Sequence, residues 1–330
     1  MNKLLFTILI FTFLSCTKKD NSNTVWIYTS LYKDTISKLK PRLNRKFPGI
    51  KFKFYQAGSE EIASKVNAEI LTNNLQADVL ISSDRFWYEE LADNKVLSEI
   101  PSEIFNRIPQ TLRHPLKMYG TLSLPVMVLC YNDDAISKEQ VPSSFLDLSK
   151  DSYKNLFTTG SPLASGTNFT TMAMLQHNYG WEYFKKLKGN NTISQGGNSS
   201  VLRRIQSKER PIGWVLLENV LRFQKKDQRL KIIYPKDGVV TNNNVLAITK
   251  KERHSNHVEN FVRFMFSEEG QALMTDSFMY SPFKDFPAPK GAPPLSFILE
   301  NSFPWSREFI TKTTVDRLDL KEEYSTIMFQ

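Results

Sequence analysis

Cysteine is nearly absent from this chain: 330 residues carry two, Cys16 and Cys130. No Cys/His spacing of the zinc-binding kind occurs, so no structural metal is expected. Catalytic signatures are missing as well. There is no Gly-x-Ser-x-Gly turn, no His-Glu-x-x-His helix and no phosphate loop closing on Gly-Lys-Ser/Thr. The four histidines, His114, His177, His254 and His257, fall into no nucleophile or metal pattern. His254 and His257 sit in the polar approach to a helix and are expected to be solvated. No apolar run reaches the ~20 residues that a membrane-crossing helix needs. Internal repeats and low-complexity segments are lacking. No catalytic residue, metal ligand or cofactor is expected from such a sequence.

What is present describes a folded, exported chain. Hydrophobic residues make up 41% and charged residues 23%, which excludes disorder. The net charge of +9 is mild for this length, and no basic stripe with interleaved aromatics occurs. Nucleic acid is therefore not an expected partner. The first sixteen residues carry the clearest local signal. Lys3 supplies an early positive charge, Leu4 to Leu14 form a short apolar run, and Ser15-Cys16 precedes a polar stretch. That pattern is an export signal; its cysteine suggests a lipoprotein, cut before Cys16 and acylated on it, with an ordinary secretory peptide cut nearby as the alternative. The protein is then held to the membrane by its N-terminal lipid and works outside the cytoplasm. With Cys16 acylated, Cys130 has no disulfide partner, and its apolar surroundings make it a small core residue.

From residue 24 onward, strand and helix signals alternate. Thr24 to Thr29 and Ile50 to Tyr55 read as strands, Asp34 to Phe47 as a helix. Ser59 to Asn73 is amphipathic, with Ile62, Val66, Ile70 and Leu71 on one face. Ser59 is expected to cap it, ahead of Glu60 and Glu61. Asp78 to Ile81 reads as a third, buried strand. This rhythm implies parallel strands covered by helices on both faces. Leu122 to Asn132 reads as one continuous apolar strand centred on Pro125. It is suited to carry the chain from one lobe to another, and a return is expected near Val239 to Ile248. Helices are expected from Ser165 to His177, at Trp181 to Leu187 and from Asn198, and a strand at Ile212 to Leu217. The expected fold class is α/β: two open lobes joined by a hinge with two strand crossings. The expected division is a leader over 1–15 and a tether over 16–23. Residues 24–122 with about 245–288 then form one lobe, and 123–244 with about 289–330 the other.

In open α/β sheets, ligands sit beyond the carboxyl ends of strands, where helix N-termini point. Four segments place small hydrogen-bonding residues there. They are Ser30, Gly58-Ser59, Ser165-Gly166-Thr167 and Asn198-Ser199-Ser200. Free backbone N–H groups and added hydroxyls at such turns suit an anion. Ser83 and Asp84 follow the third strand, and Glu218 follows Ile212 to Leu217, where it could accept from ligand hydroxyls or an amine. These twelve residues are the expected ligand-binding set.

With these segments in order, the chain resembles the extracellular solute-binding proteins of ABC importers, in the branch of ferric-iron, thiamine, phosphonate and sugar-phosphate binders. The resemblance rests on Val25 to Ser30, Phe47-Pro48-Gly49-Ile50, Gly58-Ser59 through Ala68-Glu69, and Ala77-Asp78-Val79. Tyr131-Asn132 and Pro142 to Leu148 follow, the latter with Phe145 in the family's Trp position. Ser161-Pro162 with Ser165-Gly166-Thr167, Tyr179-Gly180-Trp181, Tyr234 to Gly238 and Ser267 to Gln271 complete it. It implies a periplasmic-binding-protein-like fold, a small-molecule solute captured by clamshell closure, and permease and ATPase subunits as partners of a monomer. Iron binders of the family carry an adjacent Tyr-Tyr pair; here Leu216-Leu217-Glu218-Asn219-Val220 stands in its place, and no Tyr-Tyr pair exists in the chain. A phosphate- or phosphonate-bearing organic solute is therefore expected over ferric iron. Two other readings remain open: the ferric ion of the same family, and a ligand sensor feeding a two-component system. An extracellular phosphoester hydrolase is disfavoured by the missing metal cluster.

Overall fold

The computed structural model describes residues 23–251 and 256–330. The expected leader, Cys16, nearly all of the tether and His254 lie outside the described residues. The first of two six-stranded sheets starts with β1 (Thr24–Thr29), β2 (Lys51–Gln56), β3 (Val79–Ser82), β4 (Leu97–Ser98) and β5 (Tyr119–Ser123). The second contains β6 (Val126–Asn132), β7 (Phe157–Thr159), β8 (Ile193–Ser194), β9 (Ile212–Leu216), β10 (Leu230–Ile233) and β11 (Val240–Thr241). The chain then returns to the first sheet as β12 (Asn244–Thr249).

Strand alternation builds the first lobe. Val25 and Ile27 of β1, Val79 and Ile81 of β3, and Leu246 and Ile248 of β12 enter one apolar cluster. Tyr28, Leu80, Val245 and Ala247, one residue out of phase, enter a second on the opposite face. Both faces are covered, so these strands read as nearly unbroken apolar runs. Helix Lys33–Lys46 covers one face through Ile36, Leu39 and Leu43; helix Ser59–Leu71 covers the other through Ile62, Ala63 and Val66. The second lobe centres on Met127, Leu129, Trp214 and Leu216 of β6 and β9, packed under helix Gly166–Gly189.

Several sequence expectations are corrected. The first sheet is mixed: β1 is parallel to β2 and β3, but β12 runs antiparallel to β3, β4 and β5. The reason is connectivity, since β12 arrives from the other lobe rather than through a helical crossover. The run Leu122 to Asn132 is two strands, broken at Leu124-Pro125. Proline has no N–H to donate to a ladder, and the chain changes sheets there. Ser123 and Asn244, both expected in the second lobe, pair with each other in the first sheet. The two helices expected on either side of Gly180 are, by contrast, both present and abut at a kink there, where a φ of 70° lies in the left-handed region. His257 lies within helix Asn256–Met265 rather than before it.

The two crossings are stitched together. The Asn242 N–H donates to the Pro125 carbonyl at 2.7 Å, Asn244 Nδ2 to Ser123 Oγ at 2.9 Å, and Thr121 Oγ1 to Asn243 Oδ1 at 2.9 Å. The polar run 241–244 thus satisfies buried hinge backbone and hydroxyls.

After residue 294 the chain forms helices Leu295–Glu300, Arg307–Val315 and Arg317–Phe329. Phe309, Tyr324 and Met328 belong to the second lobe's core. This tail also reaches the first lobe. Phe86 stacks on Trp305 (centroids 5.7 Å, planes 18° apart) and meets Phe309 edge-on.

Candidate functional site

Between the lobes lies a cavity of about 170 Å³. The hinge forms its floor through Pro125 and Asn244. Its walls are helix starts and strand ends from both lobes. Of the twelve expected residues, nine line it: Ser30, Gly58, Ser59 and Ser83 from the first lobe, and Ser165, Thr167, Asn198, Ser199 and Glu218 from the second.

Three of the bordering helices begin without a capping side chain. Gly58, Ser165 and Gly197 occupy the N-cap positions of helices Ser59–Leu71, Gly166–Gly189 and Asn198–Ser207, and none accepts a side-chain cap bond. Elsewhere both kinds occur: Asp84, Ser267 and Ser306 each accept a backbone N–H at their helix starts, whereas Pro101, Pro294 and Asp316 do not. Uncapped starts leave backbone N–H groups and a partial positive charge at the cavity edge, although the Gly166 N–H is taken up by Ser59. The expected capping by Ser59 is corrected here. Ser59 is the first helical residue, and its Oγ accepts the Gly166 N–H of the other lobe at 2.7 Å. Ser165 Oγ meets Thr167 Oγ1 at 3.0 Å, and Asn198 Nδ2 donates to Thr167 Oγ1 at 3.0 Å, which orients that hydroxyl group of side chains along one wall.

Three expected residues lie behind the lining. Asp84 caps helix Arg85–Asp93 and pairs with Arg317, Nη2 to Oδ2 at 2.6 Å. Both charges are buried, so the pair consumes the carboxylate's acceptor capacity. Gly166 is pressed against Ser83 and Asp84, and a Cβ there would fall 2.8 Å from Asp84 Cβ. Ser200 Oγ is turned to Arg203, which donates to it at 3.0 Å. None of the three faces the cavity.

Glu218 is 2% exposed. Burial pushes its carboxyl up to about 7, against the opposing pull of backbone N–H groups, Val126 among them, and of Arg222. No Lys, Arg or His lines the cavity. Sequence reasoning missed Tyr32, whose hydroxyl donates to Asn219 across the lobes and whose ring carries the Arg222 guanidinium at 4.0 Å. Arg222 also pairs with Asp34 of the first lobe at 3.3 Å. Opposite, Arg317 and Lys321 pair with Glu60 of the first lobe at 3.3 and 2.6 Å. Ionic contacts therefore cross between the lobes on two sides of the cavity. A basic residue in the C-terminal helix Arg317–Phe329 gives no local signal of such a contact.

Among the described residues, no group of three or more His, Cys, Asp or Glu could hold a metal ion. Nor is any helix there long and apolar enough to cross a membrane. Cys130 is a buried free thiol, pushed up from its ordinary range by burial.

The fold is shared with solved structures. Iron-bound HitA from Pseudomonas aeruginosa superposes with a TM-score of 0.78 at 20% identity, covering 91% of this chain and 99% of that one. AfuA from Actinobacillus pleuropneumoniae, with exogenous fructose-6-phosphate bound, gives 0.80 at 20%, covering 92% and 98%. The periplasmic binding protein P5PA gives 0.81 at 18%, covering 93% and 99%. At such identities the likeness establishes the fold alone. In sequence, the phosphoglycerate transport regulatory protein PgtC of Salmonella typhimurium is 21% identical over 227 residues. That match spans 66% of this chain and 54% of the relative's length. The profile of the bacterial extracellular solute-binding proteins matches residues 74–303, well over half of the sequence. With two hinged α/β lobes closing on a polar cavity, the chain belongs to that family of bacterial extracellular solute-binding proteins.

Proposed function

We propose that this protein is the solute-binding component of an ABC-type importer. It captures a small anionic solute bearing a phosphate or phosphonate group and delivers it to the permease and ATPase subunits. Cys16 carries a lipid that holds it, as a monomer, at the cell envelope. The observation that carries the ligand class is the set of uncapped helix starts at Gly58, Ser165 and Gly197, drawn from both lobes onto one cavity. Such starts bind anions through backbone N–H groups without a basic side chain. Ferric iron is less well served. The only anionic or phenolic oxygens on the lining belong to Glu218 and Tyr32, and the Tyr32 hydroxyl already serves Asn219.

Ligand would bind between the lobes and stabilise the closed form by its differential affinity for it. A melting-temperature screen tests this, because a ligand at a hundredfold its Kd adds about 2.7 kcal/mol to stability. The panel is inorganic phosphate, fructose 6-phosphate, 3-phosphoglycerate, an alkylphosphonate, thiamine and ferric citrate. A shift with a phosphorylated compound is expected; a shift with ferric citrate alone overturns the ligand class. The name of PgtC, a transport regulatory protein, favours a second reading, in which the closed form signals to a membrane partner. Permease and ATPase genes beside this one would support import; kinase and regulator genes would support sensing.

A further inference from the structure

Glu218 is a buried carboxyl that makes no ion pair and lines the proposed anion site. It is 2% exposed and lines the same cavity as the three uncapped helix starts. Among the described residues, no Lys, Arg or His nitrogen lies within ion-pair distance of it. The groups that face it are few. Arg222, one turn along its own helix, is shared with Asp34 at 3.3 Å. From the first lobe, Tyr32 comes near; from β6, the Val126 backbone N–H favours its charged form.

A negative solute and an ionised Glu218 cannot share this partly buried space cheaply. At a separation of about 6 Å, two like charges in partly buried surroundings disfavour each other by about two pK units. A basic side chain could cancel that repulsion, but none lines the cavity. A proton is the remaining way to do so.

Resting on the anionic-solute reading above, we propose that capture is proton-linked: the anion and one proton bind together, the proton held between Glu218 and the phosphoryl group. The proton comes from solvent and leaves with the solute on opening; no covalent bond is made or broken. Glu218 thereby acts as a specificity residue. As a neutral acid it donates a hydrogen bond to the anion, and as a carboxylate it excludes it. The carboxyl, raised to about 7 by burial, makes the switch fall near neutral pH.

Calorimetric titration with inorganic phosphate, fructose 6-phosphate and 3-phosphoglycerate tests this, run from about pH 6 to about pH 8.5 in buffers of differing ionisation enthalpy. Only the protonated fraction binds, so affinity should fall roughly 30-fold across that range, and proton uptake should approach one per site at the alkaline end. The Glu218→Gln protein, which keeps a donor but cannot titrate, should lose that slope and take up no proton beyond the solute's own titration. Equal pH profiles for the two proteins would overturn the linkage while leaving anion capture standing. Affinity that rises with pH would assign the carboxylate to a cationic group of the solute and overturn it too. Failure of all three probes with both proteins at every pH would remove the anionic-solute reading and the inference with it.

Discussion

The backbone N–H of Gly166, the first residue of a helix in the second lobe, donates to Ser59 Oγ, the first residue of a helix in the first lobe, at 2.7 Å. Two helix starts thus meet head to head at the cavity edge. The approach is possible because Gly166 has no Cβ. One placed there would lie 2.8 Å from Asp84 Cβ and 2.9 Å from the Ser83 carbonyl oxygen, both in the opposite lobe.

The Gly166→Ala protein is therefore expected to fold normally and close badly. Alanine suits a helix start, and its collision is with the other lobe rather than its own. Its melting temperature without ligand should change little, while affinity for any solute that binds the closed form should drop 10-fold or more. Titration of the wild-type and Gly166→Ala proteins side by side checks this; equal affinities would show that the contact is not part of the binding-competent state.

Arg317 joins the tail to the first lobe through Asp84, which is 1% exposed. Removing one partner of such a buried pair leaves the other uncompensated, at a cost of about 3–5 kcal/mol. The Arg317→Met protein should melt at least on the order of 5 °C lower. Its lobes should also part to rehydrate Asp84 and Glu60, which small-angle scattering would record as a larger radius of gyration. A melting curve and scattering profile matching wild type would sink the assignment.

The Glu218 carboxyl also bears on stability. Its folded value of about 7 lies above the ordinary 4.5, so the folded state holds a proton that the unfolded chain has released between those two values. Stability from this group is complete below about pH 4.5 and declines as pH rises to about 7, by about 3 kcal/mol in total. Against wild type, the Glu218→Gln protein should lack that decline and be the more stable of the two at pH 8. Urea unfolding at several pH values measures it.

Cys130 is fully buried in β6, and burial raises its thiol far above the ordinary range. A Cys16→Ser protein, in which Cys130 is the one thiol, should not react with a thiol-specific disulfide reagent when native, and should release one equivalent only in denaturant. Rapid labelling under native conditions would require a different packing of β6 against β9.

Much of the fold was legible because strand alternation is a local property. β1, with Val25 and Ile27 turned to one side and Tyr28 to the other, announces its own burial. The antiparallel entry of β12 was not legible, because nothing in Asn244 to Thr249 records that its neighbours lie more than a hundred residues earlier. The site divides the same way. Ser30, Ser59 and Ser165 stand out as small polar residues between a strand and a helix. Gly166 carries that same signal, yet it serves lobe contact, a difference that only the opposing lobe reveals. Tyr32, Arg222, Arg317 and Lys321 were missed because an ordinary surface side chain looks identical in sequence until another segment folds against it.

The position of β12 also bears on when the chain can complete its lobes. Both β4 and β5 find their ladder partners in β12, so the first sheet stays open until residue 249 has been made. The second lobe is equally unfinished without Phe309, Tyr324 and Met328. A nascent chain therefore owns no completed lobe before synthesis is nearly over. Each lobe waits on a segment far along the chain, so the two reach completion together.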